Sequence, residues 1–525
     1  MRPLRVFLSH TFLLLLVLLA AAPAMAGGKA KSAAPTQSGV THRVDAILNR
    51  AELASGYWGV AVEDMDTGAV VYAHNANRLF TPASNAKMFT TAAGLALVGS
   101  DYRFRTTVET NKVPDKYGRI ADDVVLVGRG DPNLSGRALP YALKTQHPWP
   151  PEQVLVELAD QVVARSVKVI DGDLVADDTF YTFERYAEGW TEDDLLWDYG
   201  APVSALAIND NSVFLGVQPG EHVGERAFVT LEPFASLYEL VNQVTTVAAG
   251  TGPRKVGIRR QAGTNRIELW GTIPADDSGL HEKLAIEDPA EFCARLLADL
   301  LARRGVTVLG KTRARHLMPE QAEAIRTAAA LSANPTSARP NPVVLAEHIS
   351  APLAQDVKVI NKVSQNLHTE MLLRLLGHEK NGTGSVESGL EALKGFLTTA
   401  GIKPEEYVFF DGSGLSRKDL ITPHAAVTLL RYAAAQSWGM TFRDSLPRAG
   451  VDGTMTNRLK SLPAGARVEA KTGTHDHVNS LSGYITTTDG RRLAFSILSN
   501  NHLLGSPKAA AVMDEIVMEL ATGKN

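Results

Sequence analysis

A serine and a lysine three residues apart, Ser84 and Lys87, lie in the stretch Thr81-Pro-Ala-Ser-Asn-Ala-Lys-Met-Phe-Thr-Thr-Ala-Ala-Gly-Leu. A serine hydroxyl is a weak nucleophile until a base takes its proton. A lysine amine is such a base only when uncharged. Thr81 reads as an N-cap and Pro82 as the first helical residue, so the sequence predicts a helix opening here. Ser84 and Lys87 then share one face about a turn from its start. The positive end of the helix dipole lies there as well and pushes the lysine pKa down. Alone, S-x-x-K is a weak pattern, and an ordinary amphipathic helix carries it equally well.

Two further short patterns follow far downstream, Ser364-Gln-Asn366 and Lys471-Thr472-Gly473-Thr474. Taken singly, the first is a pair of helix-capping residues and the second a strand ending in a turn. Around the serine the sequence predicts a helix near 43–55, strands at 57–63 and 69–74 joined by an Asp66-Thr67-Gly68 turn, then the serine helix. From about 103 to 342 the texture becomes strand-rich, with segments at 104–109, 123–127, 167–174, 213–217, 228–231 and 266–273. A single clear helix, 289–304, ends there at Gly305. The Pro-rich segment 334–342 marks a return to the first domain. Helices follow near 353–360, 367–376, 390–399 and 422–434, then strands at 467–474, 480–487 and 492–499 and a last helix near 508–521. Two early strands and three late ones make one antiparallel sheet covered by helices, with the insert leaving from the middle.

With 525 residues, 45% hydrophobic and 21% charged, the chain is an ordinary globular protein of two to four domains. A net charge of −4 argues against nucleic-acid binding. Arg2 and Arg5 precede an apolar run over 12–22 and an Ala24-Met25-Ala26 cleavage signal. Residues 1–26 therefore read as a secretory signal peptide and 27–42 as a flexible leader, with no transmembrane anchor left after cleavage. The lone cysteine, Cys293, reads as a buried core residue. His475 and His477 read as solvated loop histidines, since a metal site needs a third ligand; no metal or other cofactor is expected. Gly128-Arg-Gly-Asp-Pro reads as a turn and Asp411-Gly-Ser-Gly as a structural turn.

In chain order the three patterns resemble the serine penicillin-recognising enzymes, in which S-x-x-K, S-x-N and K-T-G line one cleft. Gln365 stands where the S-D-N form has Asp. Further matches are Gly128-Arg-Gly-Asp-Pro, Tyr199-Gly-Ala-Pro-Val-Ser-Ala-Leu, Asn361-Lys-Val-Ser-Gln-Asn, Asp411-Gly-Ser-Gly-Leu-Ser-Arg and Gly450-Val-Asp-Gly-Thr-Met. Together with the large insert, they resemble the D-alanyl-D-alanine carboxypeptidase/endopeptidase family of class C low-molecular-mass penicillin-binding proteins, from about residue 41 to 521. The resemblance implies an α+β fold: a penicillin-binding, β-lactamase-like transpeptidase domain (43–104 and 343–525) with a β-rich accessory insertion (105–342). It implies a serine DD-peptidase acting on peptidoglycan stem peptides in an exported compartment, the periplasm or cell-wall space, and acylated by β-lactams. Ser84 would be the nucleophile and Lys87 its base, with Lys471 a nearby second cation. Ser364 would relay a proton, and Asn366 would hold the substrate amide and Lys87. Backbone N–H groups of Ser84 and Thr474 would form the oxyanion hole. Gly473 would let substrate backbone pass, and Thr472 and Thr474 would hold the terminal carboxylate. Asp178 is the implied insert carboxylate for the amino end of a stem-peptide side chain. The alternatives are a β-lactamase or esterase on the same fold, disfavoured because no segment clearly supplies a deacylating carboxylate, and a non-catalytic wall-binding or sensor protein, disfavoured because Ser and Lys are both present.

Overall fold

The computed structural model describes residues 39–141, 150–233, 237–261, 263–331 and 342–523. The cleavage signal, the leader up to residue 38 and the Pro-rich segment up to 341 lie outside these. Residues 39–42 are not leader: they open the helix Gly39–Leu48, which buries Val40, Val44 and Ile47.

A five-stranded antiparallel sheet carries the first and last parts of the chain. Its order is Val70–His74, Tyr57–Asp64, Arg492–Asn500, Val478–Thr486, Arg467–His475. Side chains alternate across a strand, so each strand feeds two layers. On one face Val60, Val62, Phe495 and Ile497 pack with Val44 and with Met513 and Ile516 of the helix Ser506–Ala521. On the other, Ala61, Tyr484, Ala494 and Leu498 share a core with Phe89, Leu372, Ala426 and Leu430. Small residues on that second face let the helices Ala86–Leu97, Asn366–Asn381 and Pro423–Ala434 come close to the sheet. Each fully buried large aliphatic or aromatic side chain adds about 1.5–3 kcal/mol.

Among the described residues the insert is a mixed five-stranded sheet, three three-stranded sheets and a two-stranded one, with one core running from Val108 to Ala346. Its first strand, Arg105–Thr110, pairs antiparallel with Val343–Ile349, Thr110 facing Val343 and Arg105 facing Ile349. The insert thus enters and leaves through one doorway, and residues 343–349, expected to begin the returning domain, instead form a strand that closes the insert's own sheet. Two helices join the expected one: Gln153–Ala164, with Val154, Leu155, Leu158, Ala159 and Val162 buried at helical spacing, and Pro319–Leu331. The single strand expected at 167–174 is two, Val169–Ile170 and Leu174–Thr182, broken at Asp171-Gly172-Asp173. Cys293 is buried in the helix Pro289–Arg303, and burial pushes its thiol pKa up. Among the described residues no helix is long and apolar enough to cross a membrane.

Candidate active site

Ser84 does not sit inside an α-helix. Residues Ala83–Asn85 form one 3-10 turn, and the α-helix starts at Ala86. The expected Thr81 cap fails because Ala83 has a left-handed φ of 47°, which no continuous right-handed helix accommodates. The turn is instead pinned to the sheet. Asn85 Nδ2 donates to the Lys471 carbonyl (3.0 Å) and Ser480 Oγ to the Pro82 carbonyl (2.7 Å). Gly473 allows this approach: a Cβ there would lie 2.3 Å from Ser480 Oγ and 2.8 Å from Ser84 N. Its need for glycine therefore comes first from the serine turn itself. Gly473→Ala is expected to displace that turn and lower acylation about 100-fold, since small misplacements near the reacting atoms cost that much; stopped-flow labelling with a fluorescent penicillin measures it, with circular dichroism unchanged.

Lys87 is wholly buried, and its Nζ lies 2.9 Å from Ser84 Oγ, 2.6 Å from Asn366 Oδ1 and 2.7 Å from the Ser413 carbonyl. A neutral amine has two hydrogens and one lone pair. Two of these neighbours can only accept, so they take both hydrogens and leave the lone pair aimed at the serine hydroxyl. Burial pushes the Lys87 pKa down to about 7, against the opposing pull of Asp411, Glu370 and Asp419. Lys471, equally buried, donates to Ser364 Oγ (2.9 Å) and to the Thr472 carbonyl (2.8 Å). Burial, then the nearby Lys87 charge, holds its pKa well below the ordinary lysine value.

Ser364 ends a single π-helical turn, Ile360–Ser364, with φ 66°, and Asn366 opens the next helix. This unusual backbone aims both side chains into the cleft. Lys362 anchors the turn: buried, it donates to Asp452 Oδ1 and Oδ2 (2.8 and 2.7 Å) and to the Leu446 carbonyl (2.9 Å). Asp452 belongs to the loop presenting Thr454, whose hydroxyl is 2.7 Å from that of Thr472. Thr474 stands exposed at the other end of the tetrad, its hydroxyl accepting weakly from Asn479 Nδ2 (3.4 Å). Ser84, Lys87, Ser364, Asn366 and the Lys471–Thr474 tetrad thus converge on one place.

Asp178 does not join them. It lies on the strand Leu174–Thr182, 3% exposed, accepting from Ser204 Oγ (2.8 Å) and paired with His316 Nδ1 (2.9 Å). Buried and paired inside the insert, it does not line the cleft. The insert carboxylate that lines the cleft, a cavity of about 400 Å³, is Asp194, 3.0 Å from Arg417 Nη1 on the same wall. His475 also departs from expectation: it ends the strand Arg467–His475, half-buried, its Nε2 2.8 Å from the Gly414 carbonyl. His477 is exposed in the following turn, its Nδ1 2.9 Å from the His502 carbonyl. Among the described residues no group of three or more His, Cys, Asp and Glu forms a metal site.

Sequence reasoning missed several supporting groups. The Tyr199 carbonyl, from the insert, accepts from Asn366 Nδ2 (2.7 Å). The Asp411-Gly-Ser-Gly turn is structural as read, yet it supplies the Ser413 carbonyl that cradles Lys87. Glu370 holds that turn, accepting from Gly412 N (2.9 Å) and Ser413 N (2.8 Å). It stands four residues after Asn366, the spacing that places two side chains on one helix face. A second seam joins insert to sheet domain: His368, fully buried, has Nδ1 2.7 Å from Asp356 and Nε2 3.0 Å from Asp210 of the insert, which also pairs with Arg137 (2.6 Å).

A hydroxyl facing a buried amine at the meeting of these three motifs defines a serine peptidase of the penicillin-binding class. The family profile of the D-Ala-D-Ala carboxypeptidase 3 (S13) family matches residues 40–522. A D-alanyl-D-alanine carboxypeptidase of Actinomadura sp. (strain R39) is 35% identical over 520 residues, 97% of this chain and 88% of that one. The D-alanyl-D-alanine carboxypeptidase DacB of Haemophilus influenzae is 25% identical over 451 residues, 85% and 86% of the two chains. The crystal structure of penicillin binding protein 4 (dacB) from Haemophilus influenzae superposes with a TM-score of 0.74 at 22% identity, covering 91% of this chain and 98% of that one. The chain belongs to the D-Ala-D-Ala carboxypeptidase 3 (S13) family and is a serine peptidase.

Proposed function

We propose that the protein hydrolyses D-Ala-D-Ala ends and cross-links of peptidoglycan stem peptides through an acyl-enzyme on Ser84. The observation that carries this reading is the buried Lys87 amine 2.9 Å from the Ser84 hydroxyl. Ser84 Oγ attacks the carbonyl of the penultimate D-alanine while Lys87 takes its proton. Backbone N–H groups of Ser84 and Thr474 receive the oxyanion. Lys87 gives that proton up through Ser364, held by Lys471, which relays it to the leaving amine as the C–N bond breaks, and the amine departs. Asn366 orients Lys87 and the substrate amide; Thr472 and Thr474 meet the terminal carboxylate. Water then attacks the ester, losing a proton to the again-neutral Lys87, which returns it to Ser84 Oγ as the serine is freed. Penicillins acylate the same serine, a reading supported by a solved structure of the Haemophilus influenzae protein in complex with a β-lactam. The N-terminal signal segment supports export to the periplasm or cell-wall space. Mass spectrometry of muropeptides digested by the mature protein tests the assignment: loss of terminal alanine and opened cross-links are expected, and unchanged muropeptides would overturn it.

The pH dependence has a definite sign. Only neutral Lys87 can accept the serine proton, so acylation is expected to rise with pH through about 7. Glu370 is one of the carboxylates that raise the Lys87 pKa, and burial, reinforced by Asp411, lifts its own to about 7. Glu370→Gln removes a favourable interaction with the protonated amine. The acid limb of kcat/KM is therefore expected to move to lower pH; a limb that stays in place or moves upward would contradict this electrostatic account.

A further inference from the structure

A cavity of about 950 Å³ in the insert lies beside the catalytic cleft, and Tyr199 lines both. Its floor is the outer face of the three-stranded sheet Phe228–Glu232, Ser212–Gln218, Leu280–Ala285. Register aligns Phe214 with Glu232 and Lys283, and Gly216 with Thr230 and His281. These residues face outward while Val213, Leu215 and Val217 point into the core. Gly216 adds no side chain, and the Thr230 hydroxyl leans over it. The wall is Trp197 and the 3-10 turn Asp198–Gly200. Asp198 and Lys283 form a loose pair at 4.0 Å, both partly exposed, and Lys283 Nζ lies 5.3 Å from the Phe214 ring centroid. Aromatic faces beside charged groups and a hydroxyl, in a cavity of ligand size, suit a sugar ring: its C–H faces stack and its hydroxyls and amide are hydrogen-bonded.

Position points the same way. On the proposed reaction, which this inference rests on, the acyl donor remains joined to a sugar polymer. The 400 Å³ cleft takes in Ser84, Ser364 and Thr474 and reaches Asn366 and Tyr199, while Thr472 and Thr454 stand outside its lining. It therefore holds the scissile amide together with the donor side, and the donor's continuation passes Tyr199. We infer that the groove floored by Phe214 and Lys283 binds the N-acetylated sugar that carries the stem peptide, making the insert a carbohydrate subsite of the enzyme.

The test compares release of D-alanine from a stem pentapeptide with release from the same peptide attached to its disaccharide. Wild type is expected to show kcat/KM at least about 10-fold higher with the sugar. Phe214→Ala/Lys283→Ala, and separately Thr230→Trp, which fills the floor from an exposed position, should erase that advantage while leaving the free peptide and penicillin acylation unchanged. Equal rates in wild type, an advantage that survives both variants, or variants that slow a sugar-free cross-linked peptide would each overturn the inference. Saturation-transfer NMR with the peptide-free disaccharide reads the groove without catalysis: contact with wild type lost in both variants supports it, and no contact overturns it. Absence of alanine release from either substrate would instead strike the DD-peptidase reading, leaving the NMR result to decide the groove.

Discussion

Ser84→Ala is expected to abolish covalent labelling by a fluorescent penicillin, and Lys87→Met to slow it by about 10³–10⁴-fold, the range of a well-placed general base. Methionine fills nearly the volume of the lysine stem, so the fold should survive. The Asn366 amide oxygen and the Ser413 carbonyl each lose a donor, a cost of about 1–3 kcal/mol for each buried group left unpaired. The two variants differ in a diagnostic way. With serine gone no adduct forms at any pH, whereas with lysine gone slow acylation persists and loses its rise through pH 7. A Lys87→Met protein that labels at the wild-type rate, or keeps the wild-type pH profile, would remove Lys87 from the base role.

Asp452→Ala should produce the largest loss of stability, about 3–5 kcal/mol in urea unfolding, because it strands the Lys362 ammonium in a buried site. The structural contacts make a further demand. Lys362 ties the π turn carrying Ser364 to the loop carrying Thr454, so activity should fall along with stability. The double variant Lys362→Met/Asp452→Leu removes both charges and is expected to recover most of the lost stability. If the double variant is no more stable than Asp452→Ala, the ion pair is not what holds this seam.

The parts of the site that could be read from sequence are those whose chemistry is local. S-x-x-K, S-x-N and K-T-G each carry their residues within a few positions, and the sheet strands beside them announce themselves by alternation and turn signals. The helix start is misplaced because Thr-Pro normally opens a helix; the contacts that hold the turn out of helical geometry, Ser480 on the Pro82 carbonyl, Asn85 on the Lys471 carbonyl and Gly414 against Ala83, all join distant pieces of chain. Asp178 was misjudged for a related reason. Which face of a strand meets solvent depends on its neighbours, and His316 and Ser204 come from elsewhere in the insert. Tyr199, Asp194 and the Ser413 carbonyl were out of reach: a backbone oxygen has no sequence signature, and nothing local records which loop arrives at Asn366. Glu370 and the helix Gln153–Ala164 were different, since their spacing alone would have revealed them.

The paired doorway strands bear on how such a chain can be cut down. Two hydrogen bonds join Phe104 and Ser350, the Ser350 N–H donating to the Phe104 carbonyl (3.0 Å) and the Phe104 N–H to the Ser350 side-chain Oγ (2.9 Å). A short linker in their place would excise the insert without stretching the remainder. Yet that surgery would bare His368 and Asp356, stripped of Asp210 and Arg137, and untether Asn366 from Tyr199. By path of the chain the accessory half is an appendage that could be snipped away; by charge and hydrogen bonding it is one wall of the reaction chamber.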